Sequence, residues 1–149
     1  MRFLGNIEAK LDAKGRVFLP SVFRKVLQTS GEEKLVLRKD VHQPCLVLYP
    51  ESVWNERMDA LRQQLNIWNK DHQQLLRKMN SDVEEAVLDG SGRLLISKRL
   101  LEKANLKQAI RFIGMDNVIE IWSPDLLDQT LESDEDFGTE LENILTNRF

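Results

Sequence analysis

Cysteine is almost missing from this chain: 149 residues include one, Cys45. A lone thiol cannot close an internal disulfide and has no second thiol for a CxxC metal site, so a reducing, cytoplasmic setting is expected. Histidine is nearly as scarce, and His42 and His72 stand far apart, without the HExxH spacing of a zinc site. There is no Gly-rich phosphate loop and no GxSxG elbow. Cys45 follows Pro44 at the start of an apolar run, the setting of a buried strand cysteine rather than of a nucleophile. These absences argue against an enzyme and point to no cofactor, metal or small-molecule substrate. No apolar run approaches the roughly 20 residues that span a bilayer. The opening Met1-Arg2-Phe3-Leu4-Gly5-Asn6-Ile7-Glu8 lacks the apolar core of a signal peptide. No membrane partner is expected.

What is present suits a soluble globular protein, with 42% hydrophobic and 30% charged residues. The net charge of −3 is unevenly spread. From Asp125 onward eight acids face a single base, Arg148, while the first 27 residues hold six bases against two acids. A basic opening and an acidic tail hint at a polyanionic partner.

The strongest feature is an internal repeat. Leu11-Asp12-Ala13-Lys14-Gly15-Arg16-Val17-Phe18-Leu19-Pro20 returns 77 residues later as Leu88-Asp89-Gly90-Ser91-Gly92-Arg93-Leu94-Leu95-Ile96-Ser97. Each copy leads into an amphipathic stretch, with Val22, Phe23, Val26 and Leu27 in one and Leu100, Leu101, Ala104 and Leu106 in the other. Two apolar runs follow in each: 35–37 and 46–49, then 110–113 and 118–122. Each half closes on a helix-start signal, Pro50-Glu51-Ser52 or Ser123-Pro124-Asp125.

Periodicity sets the expected elements. Ile7, Ala9 and Leu11 alternate with polar residues before the turn, and Val17 and Leu19 continue the pattern after it, predicting a half-buried hairpin. Asp12 suits the turn entry because its carboxylate accepts N–H groups two residues on. Gly15 and Gly92 suit positions of positive φ. Pro20 stops the strand and opens the next helix at its first position. Trp54, Met58, Leu61, Leu65 and Trp68, then Leu75, Leu76 and Met79, form a helical stripe expected to pack on the sheets, with a break at Asn69–His72. Phe137, Leu141, Ile144 and Leu145 predict a last short helix, Glu132–Asp136 a flexible acidic hinge, and Glu84-Glu85 a solvated helix or turn. The expected division is a first swapped-hairpin repeat over 1–50, connecting helices over 51–80, a second repeat over 81–124 and a helical acidic tail over 125–149.

A hairpin alone is marginal in water, and each half has only about 70 residues. Two equivalent halves solve this if each hairpin packs into the other half's sheet. The expected fold is mainly β with peripheral helices (β+α), a pseudo-twofold swapped-hairpin barrel built from two repeats. Phe3, Leu4 and Trp54 are expected to stay exposed and favour self-association.

The paired turns, with Phe3-x-Gly5, Leu46-Val47-Leu48-Tyr49-Pro50 and Ile119-Glu120-Ile121-Trp122, resemble the MraZ family, which is built on the AbrB-like DNA-binding fold. The resemblance covers nearly the whole chain. It implies a bacterial, cytoplasmic and nucleoid-associated transcription regulator that binds double-stranded promoter DNA. Its sites would be short direct repeats upstream of the division and cell-wall gene cluster, bound by a ring-like homo-oligomer. It also makes Arg16 the turn arginine associated with DNA contact.

The residues themselves are compatible with that role. Lys14 and Arg16 flank Gly15 at one tip, where slim backbone admits a phosphate. Lys14 acts as a point charge, and Arg16 can offer a bidentate fork to guanine. Lys10, Arg2 and Arg24 are further phosphate partners. A salt bridge from Asp12 that merely locks the turn is the alternative role for Arg16. The second turn has Ser91 in place of Lys14 and Ser97 where the family usually has proline. Asp89, Gly92 and Arg93 are therefore expected to be mainly structural, with Arg93 a secondary DNA contact. The remaining rival is a DNA-independent, antitoxin-like interaction module on the same fold, acting through the Phe137–Leu145 segment.

Overall fold

A computed structural model describes residues 1–132 and 136–147. Ser133, Asp134 and Glu135, the centre of the expected acidic hinge, lie outside the described residues, as do Arg148 and Phe149. The alternation around Ile7 and Ala9 becomes β1 (Asn6–Lys10), and Val17 between two polar-facing neighbours becomes β2 (Arg16–Phe18). Pro20, with φ of −49°, ends the extended run and is the N-cap of α1 (Ser21–Thr29), one residue outside the position expected for it. The first half continues with β3 (Leu35–Lys39) and β4 (Leu46–Pro50). Two helices follow, α2 (Glu51–Gln64) and α3 (Lys70–Ser81). Between them Asn69 caps α3, its side chain accepting the N–H groups of Asp71 and His72.

The second half repeats the order: β5 (Val83–Ala86), β6 (Arg93–Leu95), α4 (Lys98–Lys103), β7 (Ala109–Met115), β8 (Val118–Trp122) and α5 (Pro124–Leu131). Ser97, in the place of Pro20, caps α4 by accepting the Leu100 N–H. The final helix is α6 (Phe137–Thr146). Helices hold more residues than strands, but the β-sheets form the centre and the helices sit outside them.

Six strands form one antiparallel sheet in the order β1-β7-β8-β4-β3-β5, and β2 pairs with β6 in a separate ribbon. Exchanging each strand for its repeat mate reverses the six-strand order, as a twofold relation requires. The axis passes through the ribbon, where Val17 pairs with Leu94, its own mate in the repeat. The halves are swapped: Ala9 pairs with Ile110 of the second half, and Ala86 with Leu35 of the first.

Three expectations change in detail. The Ile7–Leu19 segment is not a laddered hairpin. After the Asp12 N–H bonds the Arg16 carbonyl (2.8 Å), β1 leaves for β7 and β2 for β6. Because the chain parts at each turn, the hydrogen-bond ladder among the described residues does not close into a barrel, and β1 and β5 remain sheet edges. Glu84-Glu85 belongs to strand β5 rather than to a helix or turn. Glu84 occupies the place of Ile7, where it pairs with the Arg99 guanidinium and accepts a hydrogen bond from the Ser97 hydroxyl.

The core lies between the sheet's inner face, the ribbon and α1 and α4. Phe3, expected outside, is fully buried, edge-on to Phe23 at 5.7 Å, and Phe23 meets Phe112 at 6.5 Å. Gly114 permits this docking, since a Cβ there would lie 2.4 Å from the Phe3 backbone. Leu4 stays exposed, and Trp54 is half-buried against Tyr49. Cys45 is buried with Trp122 and Leu127 just before β4, and burial pushes its thiol well above the ordinary range.

The stripe along α2 and α3 is only partly core. Trp54, Met58, Leu61 and Leu65 are half-buried, but Trp68 is 85% and Leu75 56% exposed, and α3 has no fully buried residue. Spacing decided which side chains share a face; it did not decide that this chain would cover them. Phe3→Ala should cost about 3–5 kcal/mol in urea unfolding, the range for emptying an aromatic site in a core. Leu4→Ala, one residue on, should stay within about 0.5 kcal/mol.

Candidate nucleic-acid interface

Each repeat turn is built around one carboxylate. Asp12 Oδ1 accepts the N–H groups of Lys14 and Arg16, both at 2.9 Å, and Gly15 turns the chain at φ +81°. Asp12 Oδ2 accepts Arg16 Nε at 2.8 Å. The second turn is the same object. Asp89 Oδ1 accepts Ser91 and Arg93 N–H at 2.9 Å, Oδ2 accepts Arg93 Nε at 2.8 Å, and Gly92 has φ +84°. The backbone N–H of the arginine, above all, holds each carboxyl below the usual range, helped by the guanidinium and the second N–H.

Both carboxylates are solvent-facing, so these ion pairs act through orientation more than through stability. Engaging Nε fixes the guanidinium plane and leaves the two Nη groups at its outer end. The salt bridge expected as the alternative role for Arg16 is thus present, and it engages Nε alone. The expected contrast between Arg16 and Arg93 is absent from their geometry, with side chains 31% and 28% exposed.

The ribbon places the turns at opposite ends, because β2 and β6 run antiparallel and each begins at its own turn. Val17 and Leu94 point inward and are buried. Arg16, Phe18, Arg93 and Leu95 therefore share the outer face, where Phe18 is 58% and Leu95 61% exposed. The Arg93 guanidinium lies 5.9 Å from the Phe18 ring centre. Two exposed apolar side chains between two oriented arginines went unread in the sequence. Strand alternation was the available signal, since a residue two from Arg16 or Arg93 must share its face.

Other candidates divide. Lys14 is exposed at the first tip, and Lys10 is exposed at the end of β1 that leads into it. Lys107, 93 positions from Lys14, lines the same cleft as Asp12, Ala13 and Gly15, which no local pattern could have shown. Arg2 is not in this group. It lies beyond the far end of β1, 3.7 Å from Asp116 in the β7–β8 turn. Among the described residues no group of three His, Cys, Asp or Glu side chains converges as a metal site, and no helix is long and apolar enough to cross a membrane.

Comparison with known proteins fits this double site. The family described as "MraZ protein, putative antitoxin-like" matches the chain twice, over residues 2–78 and 79–148. The chain belongs to the MraZ family. A protein of Phocaeicola vulgatus named transcriptional regulator MraZ is 60% identical over 145 residues, covering 97% of this chain and 94% of its own. The relative of the same name from Bacteroides thetaiotaomicron is 54% identical over 147 residues, 99% of this chain and 94% of that one. A more distant MraZ regulator from Christiangramia forsetii retains 35% identity over 99% of this chain and 95% of its own. The MraZ family model thus matches once per repeat, and each match contains one Asp–Gly–Arg turn.

The depressed carboxyls make the turns acid-resistant in a defined way. Their folded-state pKa values lie below the ordinary 3.8, so the lock is complete above that value and is lost as pH falls through the folded ones. Urea midpoints of the wild type and an Asp12→Asn/Asp89→Asn variant should differ by a constant amount between about pH 5 and 8, and converge below about pH 4.

Proposed function

We propose that this chain is a sequence-specific DNA-binding transcription regulator that reads the major groove with its β2–β6 ribbon. The observation that carries the proposal is the ribbon's outer face, with two arginines held at Nε by carboxylates and two exposed apolar side chains between them. A major groove about 12 Å wide admits a two-stranded β-ribbon, and three residue pairs extend about 10 Å. Arg16 and Arg93 offer their Nη groups to guanine O6 and N7, and Phe18 and Leu95 meet thymine methyls. Lys14, Lys10 and the turn backbones hold phosphates on the groove walls.

One ribbon makes few contacts and binds weakly at physiological salt. A homo-oligomer with several ribbons multiplies affinity by raising the effective concentration of later contacts, by roughly 10²–10⁴-fold. The uncovered Trp68, Leu75, Leu141 and Ile144 support such self-association. Direct repeats about 10 bp apart present one face of the duplex to successive subunits. The names of the relatives, transcriptional regulators, support regulation of transcription. The operator we assign is the set of direct repeats upstream of the division and cell-wall gene cluster, bound by a ring in the cytoplasm. A second reading, an antitoxin-like module that holds a protein partner, is favoured by the antitoxin-like description of the matching family and by the apolar side chains that α6 leaves exposed.

Fluorescence anisotropy on a duplex from upstream of the chain's own gene tests the proposal. Wild type should bind with a steep salt dependence, and Arg16→Ala and Arg93→Ala should each weaken binding about ten- to a hundredfold. Binding by Arg16→Ala equal to wild type, or no salt-dependent binding at all, would reject it.

A further inference from the structure

The second turn is short of one cation in sequence, with Ser91 where the first has Lys14. The fold brings one to it from the other half. Arg24, on α1, lies against Gly92: a Cβ on that glycine would meet Arg24 Nη1 at 2.5 Å and Cδ at 2.8 Å. Arg24 Nε donates to the Leu19 carbonyl at 2.9 Å, which holds the stem against the ribbon's end. The Leu19 N–H in turn bonds the Gly92 carbonyl at 3.0 Å, so helix, ribbon and turn form one unit.

The twofold supplies an internal comparison. At the first turn, the place of Arg24 is taken by Leu101 of α4, which would lie 3.6 Å from a Cβ on Gly15. One tip therefore has its own lysine and a borrowed leucine, and the other has a serine and a borrowed arginine. Among the described residues Arg24 forms no ion pair within 4.0 Å. Its cleft is also lined by Glu32, Glu33 and Asp89. Glu32 is engaged by the Ser52 hydroxyl, and Asp89 is taken up by its own turn. A half-buried guanidinium with no carboxylate within 4.0 Å among the described residues, fixed at Nε beside a positive-φ glycine, is suited to an anion that approaches from solvent.

We infer that Arg24 is the second cation of the second turn and contacts a DNA phosphate there, so that both tips of the ribbon grip the duplex. The inference rests on the DNA-binding proposal above and adds a residue to it. It makes the two halves functionally equivalent where the sequence shows one strong and one weak turn.

The test is the salt dependence of anisotropy on the same duplex, for wild type, Arg24→Leu, Arg24→Gln and Arg24→Lys, with Arg16→Ala as reference. Arg24→Leu reproduces the first turn's own solution, and Arg24→Gln covers the case in which leucine perturbs folding. Loss of one phosphate contact lowers the slope of log K against log salt by about 0.9 per ribbon engaged. The expected result is that Leu and Gln lower the slope by that amount while Lys retains it, because Lys keeps the charge and gives up the Nε bond to Leu19. An unchanged slope in all three overturns the inference, as does an equal loss of affinity in all three at constant slope, which marks a packing role. In both cases Arg16→Ala still loses binding. If Arg16→Ala also binds like wild type, the DNA-binding proposal itself has failed.

Discussion

The pairing of Val17 with Leu94 is the contact on which the molecule turns. Neither three-residue strand has a partner in its own half, and a short unpaired strand leaves its apolar side in water and has no ladder to hold it extended. The two strands meet only because the repeat places complementary copies in one chain. Once they meet across the axis, the inward positions close over the core and the outward positions are obliged to face solvent. The outward-facing arginines are thus a consequence of the same alternation that buries Val17 and Leu94.

The carboxylate at the entry of each turn links this constraint to chemistry. Asp12 and Asp89 each spend one oxygen on two backbone N–H groups and the other on a guanidinium. A turn aspartate would satisfy backbone groups in any hairpin. Here the strand that follows begins with arginine, so the second oxygen also removes rotamer freedom from the side chain that would bind. Preorganisation of this kind lowers the entropy lost on association without adding a contact.

Much of this was readable in the amino-acid order. The 77-residue spacing, the apolar runs and the Asp–Gly–Arg signature led to two equivalent halves that exchange strands, and the strand order bears this out. Errors clustered where a residue's surroundings come from elsewhere. Phe3 looked exposed because nothing near it in the chain could bury it; Phe23 and Phe112 do so. Glu84 looked solvated because its partner, Arg99, is 15 residues away. The α2–α3 stripe looked like core because spacing reports a shared face and is silent about what lies opposite.

The sequence by itself determined local geometry: where the chain reverses, which residues alternate, and that the design occurs twice. These follow from backbone preferences and side-chain periodicity within a few residues, as with the positive φ at Gly15 and Gly92. Only the tertiary structure decided which charges share a site. It put Lys107 beside the first turn and Arg24 beside the second, and it separated Arg2 from both. The reason is that the strands exchange between halves, so the neighbours of each turn are chosen by hydrogen bonds across the axis rather than by position along the chain.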